Sequence, residues 1–245
     1  MNKTQKLFSV LFLNLTLSVP TYAKVIEQKE LNFEVPSEKL MKGEEYFSFK
    51  MVDVATFNKK YPEFRGLDSL SLRHRPDVKM IISKSAYVIN KPIGFFDHQH
   101  VVDETFTKHV LGKDTVKKLD ENTFKVTSSQ LGHNFELTRA FDSDDVSTLS
   151  TSAAIQAVLT SKRLDVIVQS APSTIFEEST QFSKHFEGIV RVAAYTSLKE
   201  NKTLVVVYKV AAVKKKFAIS KIMKPLFIQD VVNQKTKTES FEFSK

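Results

Sequence analysis

The sequence predicts an α+β fold in which an antiparallel sheet is closed by a long C-terminal helix. Three observations carry that expectation. Between His185 and Val213, Ile189, Arg191, Ala193 and Tyr195 alternate with Val190, Val192 and Ala194; Lys199-Glu-Asn-Lys202 then breaks the run, and Leu204 to Val213 is almost wholly apolar and rich in β-branched residues. That is the pattern of a hairpin. After Lys214-Lys215-Lys216, the apolar residues Ile219, Ile222, Met223, Leu226 and Phe227 recur at spacings of three and four, so the period changes from sheet to helix. A series of further strand-like segments precedes the hairpin.

Taken in order, residues 1–23 read as a secretory signal. Lys3 and Lys6 precede the apolar run Leu7 to Val19, and Thr21-Tyr22-Ala23 ends in a small residue suited to cleavage before Lys24. The run is shorter than the roughly 20 residues a spanning helix needs. No cysteine follows it to be lipidated, so the expected address is the periplasm or the secreted milieu. Residues 24–77 read as an N-terminal extension. Leu31 to Val35 alternates like a strand, Glu45 to Val54 forms another, and the stretch from Tyr61 to Pro76 has the Pro, Gly and Arg content of a loop, with Arg73-His74-Arg75 as a solvated basic cluster.

From residue 78 to 245 the pattern is that of one domain. Met80 to Ile89 is a strand that stops at Asn90-Lys91-Pro92, and Pro92 suits a first helical turn because it leaves no N–H unpaired. A short helical region through Phe95, Phe96, Val101 and Val102 follows; Asp103 caps a second helix that holds Phe106 and Val110 and stops near Gly112. Strands are then expected over Asn122 to Ser129, Asn134 to Phe141, Leu149 to Thr160 and Leu164 to Ala171, although the Ser, Ala and Leu spacing of Val146 to Val158 also fits a helix. The turns between them fall at Asp120-Glu-Asn122, Gly132-His133 and Asp142-Ser-Asp-Asp145.

Composition narrows the function classes. Removal of 23 residues from 245 leaves 222, with 34 basic against 28 acidic side chains, a mildly basic chain whose lysines are mostly interspersed with acids. That argues for a solvated surface and against nucleic-acid binding. There is no cysteine and no tryptophan, so no disulfide contributes to stability, and only six glycines, with no phosphate-binding loop among them. No cofactor is expected.

No catalytic constellation rises above background. Asp97-His98-Gln99-His100 could ligate a metal on an extended segment, with His109 and His133 as further donors, but on a helix residues two apart diverge by about 200°. No metal site is predicted. Glu177-Glu178 pairs carboxylates that point apart on any regular element, and reads as a solvated loop rather than an acid/base dyad. Ser170-Ala-Pro-Ser173 reads as a strand end with a proline turn.

The order from Val78 to about Thr238 resembles the helix-grip fold of the START/Bet v 1-like (SRPBCC) superfamily, a curved antiparallel sheet wrapped around a long C-terminal helix. The points of resemblance are the Tyr87-Val-Ile-Asn-Lys-Pro92 strand-to-helix junction, Gly188 opening the penultimate strand, and the last strand running into the Ile219–Phe227 helix. The extension before Val78 departs from the usual single-domain form, and Pro225 interrupts the closing helix. The resemblance implies a cavity between sheet and helix, lined by Tyr195, Tyr208, Ile219, Ile222, Met223, Leu226 and Phe227, that takes a lipid or another apolar small molecule without catalysis. Twenty phenylalanines and Met223 supply bulky, adaptable lining. Lys214, Lys215, Lys216, Lys221 and Lys224 could meet an anionic head group or membrane surface. Two alternatives stand beside it: a cyclase- or hydrolase-like enzyme on the same fold, with His98, His100 and Tyr195 as its candidate polar groups, and a protein-interaction module with a filled core.

Overall fold

The computed structural model describes residues 25–31, 34, 37–64, 75–112, 115–128, 133–142, 145–159 and 171–243. Among them, nine strands form one sheet: β1 (Val25–Gln28), β2 (Glu45–Asp53), β3 (Val78–Ile89), β4 (Thr115–Lys118), β5 (Thr123–Ser128), β6 (His133–Phe141), β7 (Ser173–Thr180), β8 (Phe186–Leu198) and β9 (Lys202–Lys214). Their order across the sheet is β1-β2-β3-β9-β8-β7-β6-β5-β4, antiparallel throughout except for the β1–β2 pair. The helices are α1 (Ser37–Met41), α2 (Val54–Lys60), α3 (His98–Val101), α4 (Glu104–Leu111), α5 (Ser152–Leu159) and α6 (Ser220–Ser240), with short 3-10 turns at Ile93–Phe96 and Asp145–Thr148.

The hairpin and the closing helix form as the sequence predicts. Glu200 and Asn201 both take positive φ in the turn between β8 and β9, a backbone that tight hairpins require and Asn tolerates. The α6 helix runs through Pro225, which costs one backbone hydrogen bond without ending the helix. Pro92 stands just before the Ile93–Phe96 turn, and Asp103 accepts from the Phe106 N–H at 2.6 Å to cap α4. At the other end of α4, Gly112 takes φ +57, and a Cβ there would meet Lys237 Nζ of α6 at 1.8 Å. Glycine is therefore favoured by the left-handed backbone, whereas the Lys237 ammonium, at the end of a flexible side chain, could move aside.

The near-continuous apolar run of β9 has a cause the sequence pattern left open: both faces of the sheet are covered. Odd-numbered residues of β3, β8 and β9 face α6, whereas Met80, Ile82, Ala86, Val190, Val192, Val206, Val210 and Ala212 join a second core on the opposite face. That second core takes Leu31, Leu40, Val54 and Phe57 from the chain before Val78, and Leu149, Ala154 and Ile155 from around α5. Segments buried on both faces read as unbroken hydrophobic runs rather than alternating ones. The chain before Val78 also extends the sheet, since β2 pairs with β3 from Tyr46↔Ala86 to Asp53↔Lys79.

Several expectations are corrected. Leu149 to Thr160 is not a strand: Ser152–Leu159 is helical, which places Ala154 and Ile155 on the buried side of α5. The strand expected over Leu164 to Ala171 lies outside the described residues but for Ala171, as do the signal segment, most of Leu31 to Val35, Arg73-His74 and Gly132. A strand does follow at Ser173–Thr180, where Glu177-Glu178 had suggested a loop. The short β4, with Lys117 and Lys118 in four residues, carries too little apolar signal to be seen in the sequence.

Candidate functional site

Between the concave face of the sheet and α6 lies a cavity of about 410 Å³. Its sheet wall is built from residues in register across four or more strands. Tyr87 of β3 and Tyr195 of β8 flank Val205, while Ile175 and Ala193 pair across β7 and β8. Phe96, Val101, Phe106, Val110 and Leu111 close one side from the segment around α3 and α4; Met223, Leu226 and Phe227 close another from α6. Leu226 is 39% exposed, so the cavity wall reaches solvent there.

Across the middle of this apolar face runs one transverse row of polar side chains. The register places Ser83, Lys209, Arg191, Glu177 and Arg139 side by side on β3, β9, β8, β7 and β6. Arg191 Nη1 donates to Glu177 Oε2 at 2.6 Å and Arg139 Nε to Glu177 Oε1 at 2.8 Å, so two guanidiniums share one carboxylate. Arg139 Nη1 also donates to the Val101 carbonyl at 2.7 Å and to Thr107 Oγ1 at 2.5 Å, which ties β6 to α3 and α4. Lys209 pairs with Asp230 of α6. Arg191 Nε is buried and has no hydrogen-bond partner among the described residues.

These contacts set the charge states. Burial alone would raise the Glu177 carboxyl, but the Arg191 and Arg139 guanidiniums outweigh it and hold it at about 2. Burial pushes the phenols of Tyr87 and Tyr195 up, with the Arg191 guanidinium beside them acting in the opposite sense. Burial is the strongest single influence on Arg191 and lowers it, but Glu177 together with Tyr195 and Tyr87 outweighs burial and holds it well above its ordinary value. The row thus holds an ionised Glu177 carboxylate beside a charged Arg191 guanidinium, flanked by the protonated phenols of Tyr87 and Tyr195.

Of the side chains expected at a cavity, Tyr195, Met223, Leu226 and Phe227 stand in its wall. Three do not. Tyr208 is at an even-numbered position of β9 and faces the second core, with the Lys84 ammonium 5.4 Å from its ring centre. Ile219 precedes α6 and is 43% exposed, and Ile222 is half-buried outside the wall. The cause is the turn of the helix: the stripe expected along α6 continues as Gln229, Asp230, Asn233, Gln234 and Thr238, so the helix side of the cavity is largely polar beyond Phe227. His98 and His100 sit on α3 outside the wall; His98 meets the Phe141 ring edge-on and His100 stacks on Phe243 at 3.9 Å. Among the described residues no three His, Asp or Glu side chains are grouped to hold a metal ion.

Sequence reasoning missed Arg139, Glu177, Arg191 and Lys209. Glu177 and Glu178 do point apart, but neither is solvated as a loop would be: Glu177 is largely enclosed in the polar row, and buried Glu178 faces the second core and accepts from the Ser150 hydroxyl and N–H at 2.8 and 3.0 Å. The available signal was a charged side chain inside an otherwise apolar run, Arg191 in β8 and Lys209 in β9.

No protein-family model matches the sequence, and no curated protein matches it. Solved structures do. The Zhui aromatase/cyclase from Streptomyces sp. R1128 superposes with a TM-score of 0.45 at 8% identity, covering 65% of this chain and 92% of that one. A START superfamily protein from Mycobacterium smegmatis gives 0.41 at 12% identity, covering 64% and 94%. Ara h 8.0201 gives 0.41 at 9% identity, covering 65% and 95%. By its own strand order and closing helix, the chain carries a helix-grip fold, with two strands beyond β3 and a second core on the other face of the sheet.

Proposed function

We propose that this chain is an exported, periplasmic binding protein that holds a lipid or another apolar small molecule between its sheet and α6, without transforming it. The observation that carries this reading is the cavity itself. Its volume of about 410 Å³ falls within the ~300–1,000 Å³ typical of small-molecule sites, and its walls are mainly apolar with a few convergent polar groups. The polar row supports binding over acid/base chemistry. A general base works best near the operating pH, yet Glu177 is held far below it and the two phenols are pushed above their ordinary value.

The side of the cavity that reaches solvent at Leu226 lies on the same helix as the exposed Lys221, and exposed Ile219, Lys215 and Lys216 precede that helix. Exposed apolar side chains among lysines favour loading from an anionic membrane surface. Native mass spectrometry of the protein purified from its own periplasm tests the proposal. An apolar molecule co-purified with the folded protein, and displaced by a fluorescent fatty-acid probe, is the expected result. A protein that carries nothing and binds no apolar probe would leave the interaction module as the better account.

A further inference from the structure

The polar row has features that a purely apolar ligand would not need. Four cationic side chains, Arg139, Arg191, Lys209 and Lys237, reach the cavity wall against two carboxylates, Glu177 and Asp230. The wall is therefore positive, in a setting where a buried charge is costly unless matched. Arg191 is the focus. It is 9% exposed, it spends Nη1 on Glu177, and its Nε donor is left without a partner. A buried charged donor that makes no hydrogen bond is rare and expensive in a folded protein.

Resting on the binding reading above, we infer that the ligand is an amphipathic acid, an apolar chain ending in a carboxylate, and that the carboxylate docks on Arg191 in the polar row while the chain fills the apolar part of the cavity. The chemistry fits at each atom. A guanidinium presents N–H donors in a planar fork that matches a carboxylate; Glu177 occupies one nitrogen, and Nε, buried in the cavity wall, has no hydrogen-bond partner among the described residues. Tyr87 and Tyr195 lie against the same guanidinium and can donate their hydroxyls to the second ligand oxygen. Their raised pKa keeps both phenols protonated, hence donors, through the physiological range. Glu177 does not compete with an incoming anion for an empty place, because both of its oxygens are already engaged by Arg139 and Arg191. Apolar surface for the chain is adjacent: Ile175 and Ala193 lie one register step to one side of the row, Ile189 and Ala211 one step to the other.

The test compares two ligands of one chain length, dodecanoate and dodecanol, by calorimetry and by displacement of a neutral fluorescent probe. The wild-type protein should bind dodecanoate about tenfold or more tighter than dodecanol, the worth of one charge-assisted hydrogen bond. Carboxyl-¹³C-labelled dodecanoate should stay ionised in the complex at a pH where the free acid is protonated. Tyr195→Phe leaves the Arg–Glu–Arg contacts in place and should reduce the dodecanoate/dodecanol ratio several-fold. The triple variant Arg139→Met, Glu177→Leu and Arg191→Met removes the whole charge cluster, so that neither guanidinium is left beside a missing carboxylate, and should bring the ratio close to one. Equal wild-type affinity for acid and alcohol would overturn the carboxylate assignment and leave the apolar-carrier reading standing. Binding of neither would overturn both.

Discussion

Arg191 Nη1 donates to Glu177 Oε2 at 2.6 Å, and Arg139 reaches the other oxygen of the same carboxylate, so the centre of an otherwise apolar sheet face is held by charge. Such a triad specifies a register more than it stabilises the fold, because desolvation offsets much of the attraction. Breaking it is another matter. Glu177→Ala leaves two buried guanidiniums facing each other and should cost about 3–5 kcal/mol in chemical denaturation. Replacing all three residues with apolar ones of similar volume, Arg139→Met, Glu177→Leu and Arg191→Met, should recover most of that loss. If the single and triple variants were equally destabilised, the loss would have to come from packing rather than from unmatched charge.

The same carboxylate predicts acid lability. Its pKa lies at about 2 in the folded protein, below the ordinary value of 4.5. A group depressed on folding contributes stability above its unfolded pKa and loses it as pH falls toward the folded one. The loss should therefore spread between about pH 4.5 and pH 2 and amount to on the order of 3 kcal/mol, at about 1.4 kcal/mol per unit. Urea titrations across that window should show the slope in the wild type and a smaller one in the triple variant. A wild-type midpoint flat from pH 5 to pH 3 would contradict it.

Lys235 and Glu45, separated by 190 positions, meet at 2.9 Å and fasten α6 to the strand that precedes β3. Glu45 is 2% exposed, and its second oxygen has no hydrogen-bond partner among the described residues. Lys235→Met should therefore leave a carboxylate buried without its cation, costing about 3–5 kcal/mol, whereas Lys235→Met with Glu45→Gln should cost clearly less. Equal losses would mean that the lysine stem, not its charge, holds the two elements together.

What the sequence made legible was the part of the fold whose period is clean. The β8–β9 hairpin, the Asp103 cap, the Gly112 stop and the start of α6 all follow from local rules that tertiary packing did not override. The segment around α5 was ambiguous because Ala, Ser and Leu fit either period, and only its packing against the outer face of the sheet decides for helix. The site was less legible than the fold. Arg139, Glu177, Arg191 and Lys209 are spread over 71 positions, from 139 to 209, and become neighbours only when four strands align. Tyr208 was expected in the cavity and faces away from it because side chains alternate along β9, and periodicity alone does not say which face is concave.

The N-terminal pattern makes a prediction of its own. Lys3, Lys6, the apolar run and Ala23 place cleavage before Lys24, one residue ahead of β1 at Val25. Mass analysis of the exported protein should find Lys24 first, with β1 intact. Recovery of the Met1 form alone, from the cytoplasm, would refute export.

The last prediction separates an open cavity from a filled core. The Phe227 ring packs edge-on against Phe49 at 5.6 Å and lies under the Lys209 ammonium at 5.5 Å, while its remaining side borders the cavity. In a fully packed core Phe→Ala costs about 3–5 kcal/mol, because lost transfer energy and the new void add. A ring that already lacks neighbours on one side has fewer contacts to lose, so Phe227→Ala should cost about 2 kcal/mol and shift the affinity for an apolar probe. Leu226 gives the opposite test. It stands in the cavity wall yet is 39% exposed, so Leu226→Trp can extend across the opening with little strain, keep stability within about 0.5 kcal/mol and slow probe entry. Had Leu226 been packed on all sides, the larger ring would cost about 1–3 kcal/mol. A full penalty for Phe227→Ala, together with no probe binding by the wild type, would mean that the space is closed in solution, and the carrier function would fall with it.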